Sequence, residues 1–230
     1  MLQQALTILR RDKIAYADMI YPVLRGDCEV MQADEDGVVL FDRPSALVFA
    51  NLPDTDGSVQ KLMTIRGARG FVLHSDALAD RFNRIIRKTR VMRLTQVVYE
   101  SAQPPHVARV CSVRTLTDAD ADEVCARLPY EDESDLRLLI SQGSIYGAYI
   151  GGEIVGRIGV HREGCMGLLA VSDSFRRRGV GECLEAHLIK ELLHKGITPY
   201  GQIKRDNTPS LELSRELGFT FSDGEITILC

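Results

Sequence analysis

Two adjacent prolines, in Gln103-Pro104-Pro105-His106, set the first limit on what this chain can fold into. Each fixes its own φ and neither offers a backbone N–H, so helix and strand both stop there. A chain of 230 residues is long for one domain, and the break predicts two, residues 1–103 and residues 112–230. The charge changes at the same place. Residues 1–110 carry 15 basic and 13 acidic side chains, and residues 111–230 carry 13 and 19, for a net charge of −4. A nucleic-acid binder normally shows a basic excess, so nucleic acid is not expected as a partner. Hydrophobic residues at 45% exclude a disordered chain, and no apolar run approaches the roughly 18 residues of a membrane span. The opening Met1–Lys13 stretch has its charges after its apolar residues, the reverse of a secretory signal, so a cytoplasmic protein is expected. The six cysteines include no C-x-x-C pair, and the five histidines form no ligand-spaced cluster. Reduced, mostly buried thiols and no metal site are expected.

Periodicity and turn residues predict a similar order of elements on both sides of the prolines. In the first half, helices are expected near Leu2–Leu9 and Ile14–Leu24. A hairpin of Cys28–Gln32 and Val38–Phe41 should turn at Asp36-Gly37, with Ala46–Asn51 as a third strand. A helix (Ser58–Arg66), a strand (Phe71–His74), a helix (Asp76–Arg87) and a strand (Met92–Tyr99) complete it. In the second half, Val113–Leu116 is a short strand and Thr117 a helix N-cap with an acid, Asp120, three residues on. Val124, Leu128, Leu136, Leu139 and Ile140 recur at helical spacing. Strands Ile145–Ile150, Ile154–Val160 and Cys165–Val171 follow, then a helix from Gly179 to Lys195 closed by Gly196. Pro199–Lys204 is a strand, Pro209–Leu217 a helix, and Thr220–Leu229 strand-rich with a turn at Asp223-Gly224. The expected class is α/β (α+β): a mixed, mostly antiparallel sheet flanked by helices, built as a structural repeat.

The chemistry concentrates in Leu168-Leu169-Ala170-Val171-Ser172-Asp173-Ser174-Phe175-Arg176-Arg177-Arg178-Gly179-Val180-Gly181. An apolar strand runs into a basic loop that opens a long helix. Gly179 and Gly181 let backbone N–H groups approach a ligand, the helix N-terminus favours an anion, and the three arginines add charge. A pyrophosphate suits such a site. The chain has no G-x-x-x-x-G-K-[ST] string, and Leu184 stands where a dinucleotide fingerprint needs its third glycine.

Arg176-x-x-Gly179-x-Gly181 after an apolar strand resembles the acyl-CoA pyrophosphate loop of the GCN5-related N-acetyltransferase (GNAT) superfamily. Gly152-Glu153-Ile154-Val155-Gly156 resembles its second hairpin. Asn207-x-x-Ser210-x-x-Leu213 followed by Leu217-Gly218-Phe219 resembles its late helix and next strand. The likeness covers about 112–230, and the first half resembles a degenerate copy, as in two-domain members similar to glycine N-acyltransferases. The resemblance implies transfer of an acetyl (acyl) group from acetyl-CoA to a primary amine of a small molecule or amino acid, with no metal, by a monomer or homodimer. It assigns Leu169, Ala170 and Val171 to the pantetheine arm, Arg176, Arg177, Arg178, Gly179, Val180 and Gly181 to the pyrophosphate, and Asn207 and Ser210 to cofactor contacts. Asn207 reads equally well as the N-cap of the following helix. In the first half the corresponding loop, Asn51–Ser58, has no arginine and carries Asp54 and Asp56, so one acyl-CoA site is expected.

Two departures bear on catalysis. Many relatives place a glutamate on the strand before the loop, whereas Cys165–Val171 holds none; Glu163 and His161, just before it, are the nearby candidates for a base. Relatives often have a tyrosine after the Leu213 position as acid for the leaving thiolate; here it is Ser214, with Tyr200 as the alternative. These gaps leave open a second function, a non-catalytic acyl-CoA-binding regulatory module.

Overall fold

The computed structural model describes all 230 residues, Met1–Cys230. In chain order the elements are α1 (Leu2–Leu9), α2 (Ala17–Arg25), β1 (Cys28–Asp34), β2 (Gly37–Asp42), β3 (Leu47–Ala50), α3 (Asp56–Thr64), β4 (Gly70–Leu73), α4 (Asp76–Ile86) and β5 (Val91–Val98). After the proline linker come β6 (Ser112–Thr115), α5 (Ala121–Arg127), α6 (Glu133–Ser141), β7 (Ile145–Ile150), β8 (Glu153–Val160), β9 (Met166–Val171), α7 (Val180–His194), β10 (Tyr200–Lys204), α8 (Thr208–Glu216) and β11 (Thr220–Leu229). The class is the expected one, a mostly antiparallel mixed sheet flanked by helices. The expected Thr117 N-cap forms, as a capping box with Asp120 that opens a short 3₁₀ turn ahead of α5. Helix α2 starts three residues later than the Ile14 expected, because Asp12 Oδ1 accepts the Ala15 N–H at 2.9 Å and holds that segment in a turn.

Packing first divides the chain between Val98 and Tyr99, ahead of the prolines, and divides it again beyond Gly201. One compact unit comprises Met1–Val98, Gln202–Leu211 and Thr220–Cys230; the other comprises Tyr99–Gly201 and Glu212–Phe219. The boundaries 103 and 112 follow the chain, but the last strand follows its hydrogen bonds. In the first unit β1, β2 and β3 form an antiparallel meander and β4 joins β3 in parallel. Strand β11 then lies antiparallel between β4 and β5, pairing Ile228 with Val72 on one side and with Met92 on the other. Asp223-Gly224 does not turn the chain back. It lies in a bulge of a continuous strand, where the register against β5 shifts between Phe221 and Glu225. The alternation of β11 sends Leu229 to one face, with Phe71, Leu78 and Phe82, and Ile226 to the other, with Met19, Leu40 and Phe49.

The first unit also buries a polar cluster. Asp18 is fully buried, and its carboxylate faces His74 Nε2 at 3.2 Å and accepts from Gln202 Nε2 at 3.0 Å. Gln96 donates to the carbonyls of Ile14 and Ala15, which tethers the segment between α1 and α2.

In the second unit β6, β7, β8 and β9 form an antiparallel run, with α5 and α6 packed on one face through Val124, Leu136, Leu139 and Ile140. None of the six cysteines forms a disulfide, and four of them are buried. No helix is long and apolar enough to cross a membrane.

Because Leu229 sits wholly inside the core of the first unit, Leu229→Ala should cost about 3 kcal/mol of unfolding free energy in urea. Amide exchange should quicken in β4 and β5, its hydrogen-bond partners; protection lost only in the second unit would contradict the placement of β11.

Candidate functional site

Strand β9 carries the geometry on which a site can be built. It meets β10, in parallel, at a single position, Gly201 with Met166. Strand β9 runs on through Gly167, Leu168, Leu169, Ala170 and Val171 with no further partner from β10. Its other edge stays paired with β8, but not evenly. The register passes from Gly159–Gly167 to Arg157–Ala170, so Leu168 and Leu169 together face Ile158. Two residues against one is a β-bulge, and Leu168 sits in it at φ +60°, where a non-glycine residue is strained by about 1–2 kcal/mol. Beyond the bulge the Ser172 N–H bonds the Val155 carbonyl at 2.9 Å. Hydrogen-bonding direction alternates along a strand, so the N–H and C=O of Val171 point away from β8, to the unpaired edge. The first unit has no counterpart. There β3 and β4 pair over Leu47–Gly70, Val48–Phe71, Phe49–Val72 and Ala50–Leu73, and His74 N–H extends the ladder to the Ala50 carbonyl at 3.0 Å.

The loop after β9 ends in two left-handed residues, Arg177 at φ +56° and Gly179 at φ +78°, and Gly179 is the N-cap of α7. A glycine cap has no side chain to take up the first amides of the helix, which leaves them pointing out of its positive end. The equivalent helix of the first unit is closed: Thr55 Oγ1 accepts the Ser58 N–H at 3.1 Å, and Asp54 and Asp56 flank it, paired with Arg81 at 3.5 and 3.3 Å.

The three arginines do different work. Arg176 folds back, its Nε donating to the Val171 carbonyl at 3.2 Å and its Nη2 meeting Asp173 at 2.9 Å. Its guanidinium braces the strand end. Arg178 lies over the Phe175 ring at 5.4 Å, and Arg177 and Arg178 are both exposed. Gly181 completes the head of the helix. A Cβ there would stand 3.6 Å from Leu213 Cδ2 and 4.0 Å from Leu169 Cδ2, so the start of α7, the open strand and α8 converge on this glycine.

Of the candidate acid–base residues, three gather at the opposite end of β9. Tyr200 is buried, and its hydroxyl donates to the Glu163 carbonyl at 2.9 Å. His161 lies over Gly167, where a Cβ would approach its Nε2 to 2.6 Å. Arg162 ties the same turn to Asp135 of α6. Gly167 and Val171 are four strand residues apart, about 13 Å. A proton could pass between His161 or Glu163 and the open edge only through water. Ser214 is buried in α8. Asn207 takes the capping role, its Oδ1 accepting the Ser210 N–H at 3.4 Å at the head of α8.

The sequence reading missed Glu185. It lies on α7 one turn beyond Gly181, on the same helix face, and burial lifts its carboxyl to about 7. The signal was an acid inside the stripe of Gly181, Leu184 and Leu188, where an outward-facing helix position would have placed it in water. Burial also pushes the Cys111 thiol, beside Cys183, up to about 12, so no ready thiolate stands there.

Residues 146–227 match the family model of FR47-like protein. A GCN5-related N-acetyltransferase from Kribbella flavida, 14% identical, superposes with a TM-score of 0.60 over 94% of each chain. The fold is that of the GCN5-related N-acetyltransferases. A tandem GNAT protein from the clavulanic acid biosynthesis pathway, 12% identical with a TM-score of 0.51, covers 100% of this chain and 94% of its own. A Drosophila protein, 18% identical with a TM-score of 0.72, covers 100% of this chain and 95% of its own. No curated protein matches. The open strand, the start of α7 and α8 meet at Gly181.

The Glu185 carboxyl binds its proton more tightly in the folded chain than in the unfolded one, so stability should fall as pH rises from about 4.5 to about 7. Glu185→Gln should flatten that stretch of a melting-temperature profile and be the more stable form at pH 8. An unchanged slope would mean that the carboxyl is not desolvated.

Proposed function

We propose that this protein is an acyl-CoA-dependent N-acyltransferase, transferring acetyl from acetyl-CoA to a primary amine of a small molecule or amino acid. The observation that carries the reading is the parting of β9 from β10 directly before a glycine-capped helix. An extended thioester arm needs an open strand edge, and its pyrophosphate needs free amides. Both are found on one strand–loop–helix segment. In this reading the amides of Gly179, Val180 and Gly181 hold the pyrophosphate, with Arg177 and Arg178 adding charge around it. Arg176, itself exposed, fixes the end of the strand through the Val171 carbonyl. Leu169, Ala170 and Val171 line the arm, and Asn207 and Ser210 at the head of α8 are its further contacts.

The reaction is direct attack. The amine nitrogen bonds to the acyl carbon, the C–S bond breaks, CoA leaves as thiolate, and the ammonium proton passes to water or a base. Holding both reactants in line supplies much of the rate. The Val171 N–H, pointing to the unpaired edge, is the donor for oxygen charge that develops on the carbonyl. Ser214 is a far weaker acid than a phenol, and the Tyr200 hydroxyl already donates to Glu163. A thiolate whose acid has a pKa near ~8.5 can leave without strong help. These two residues favour a second reading, a module that binds acyl-CoA without turnover. Incubation with acetyl-CoA and a panel of the common amino acids and alkylamines, followed by free thiol release, separates the two. Tight CoA binding in calorimetry with no turnover would select the second.

One site per chain is expected, since β3 and β4 are zipped and Asp54 and Asp56 guard the capped helix of the first unit. Calorimetry should give one CoA per chain. Gly179→Asp, which puts a carboxylate at the phosphate cradle, should weaken binding by at least about 100-fold in a folded protein. Asp54→Ala with Asp56→Ala should change affinity less than about twofold. Two equivalents of CoA would sink the assignment.

A further inference from the structure

The bulge that parts the strands is held by a buried cation. Arg157, on β8 opposite Ala170, is 3% exposed. Its three hydrogen-bond partners are all main-chain carbonyls: Leu128 at 3.2 Å from Nε, Pro129 at 3.3 Å from Nη2, and Leu168 from Nη1. The guanidinium lies 5.5 Å from the Tyr130 ring, and no carboxylate pairs with it. A buried charge without a counter-ion is an expensive way to fill a core, and burial pulls its pKa below the ordinary guanidinium range. The position of Leu168 gives the charge a purpose. The left-handed residue turns its carbonyl out of the β8–β9 ladder, and a buried carbonyl must find a donor. Arg157 supplies that donor, and its other two bonds anchor it to the C-terminal end of α5, where carbonyls are unpaired and the helix dipole is negative.

We propose that Arg157 is a positioning residue for acyl transfer: by holding the Leu168 carbonyl in the bulge, it fixes the direction in which Val171 presents its N–H at the open edge. The bulge lies between the single β9–β10 pair at Met166 and the exposed amide at Val171. Its geometry therefore sets how β9 leaves its neighbour and which way the last residues face. This rests on the acyltransferase reading of the site. The pyrophosphate loop lies beyond the bulge and takes none of Arg157's hydrogen bonds, so anchoring of CoA and orientation of its carbonyl should separate.

The test is a double-mutant cycle with acetyl-CoA and the amine panel. Arg157→Met should keep CoA affinity within about threefold while kcat falls about 100-fold. Arg157→Lys, which keeps one donor, should lose less. Leu168→Gly, although it removes a buried side chain, should recover about tenfold of kcat when added to the Arg157→Met chain, because glycine adopts the left-handed conformation without restraint. A residue that merely fills the core predicts the reverse, since removing Leu168 would add a second cavity. If Arg157→Met does not fold, the same comparison runs between Arg157→Lys and Arg157→Lys with Leu168→Gly. Unchanged kcat in Arg157→Met, or equal losses of affinity and kcat without glycine rescue, overturns the proposal alone. A wild-type chain that binds CoA and never releases thiol overturns the catalytic reading beneath it.

Discussion

The parting of β9 from β10 is the constraint on which the rest of the second unit depends. A sheet gains by pairing every strand edge, and an unpaired edge leaves N–H and C=O groups unsatisfied. Here one pair, Gly201 with Met166, is made and the remainder of β9 is left open. The opening is built in by a bulge at Leu168, a left-handed residue whose carbonyl goes to Arg157, and it is braced at its far end by Arg176 on the Val171 carbonyl. Two arginines thus take up carbonyls that a regular ladder would have used. The Val171 N–H points to the unpaired edge.

The comparison within the molecule shows that the topology alone does not make a site. Strands β3 and β4 run in the same parallel sense as β9 and β10, yet they pair along their whole length. The helix that follows β3 is capped by Thr55 and ringed by carboxylates, while the one that follows β9 starts on a glycine among arginines. Each difference is local and chemical. Together they leave one segment with open backbone groups at a strand edge and a helix start, and the other committed to its own packing. The net charge of −4 says nothing of this, because the charges that matter lie within the few residues of each loop.

The first unit spends its polar groups on integrity. Asp18 and His74 face each other out of water, Gln202 donates to Asp18, and Gln96 holds the turn after α1. Strand β11 fills the place between β4 and β5, so this part of the unit closes only when Thr220–Leu229 has joined it. Its closing contacts are long-range in sequence, a feature that slows folding relative to local pairing.

Much of this was legible in the sequence where the signal is local. The capping box at Thr117, the hairpin at Asp36-Gly37 and the long helix from Gly179 follow from propensity, caps and turn residues, all of which act over a few positions. The basic, glycine-bearing loop also stood out, because glycines and arginines directly ahead of a helix start are local features. Which strand pairs with which was decided elsewhere. Nothing in Thr220–Leu229 names β4 and β5 as partners, since any β-rich segment offers the same backbone groups; the choice is made by where Leu229 and Ile226 find matching core faces. Asp223-Gly224 read as a turn because those residues favour one, and a continuous ladder made it a bulge. Arg157 and Glu185 were silent for the same reason. An arginine or glutamate in a sequence carries a prior for water, and only the packed structure buries Arg157 and takes enough water from the half-buried Glu185 to shift its proton.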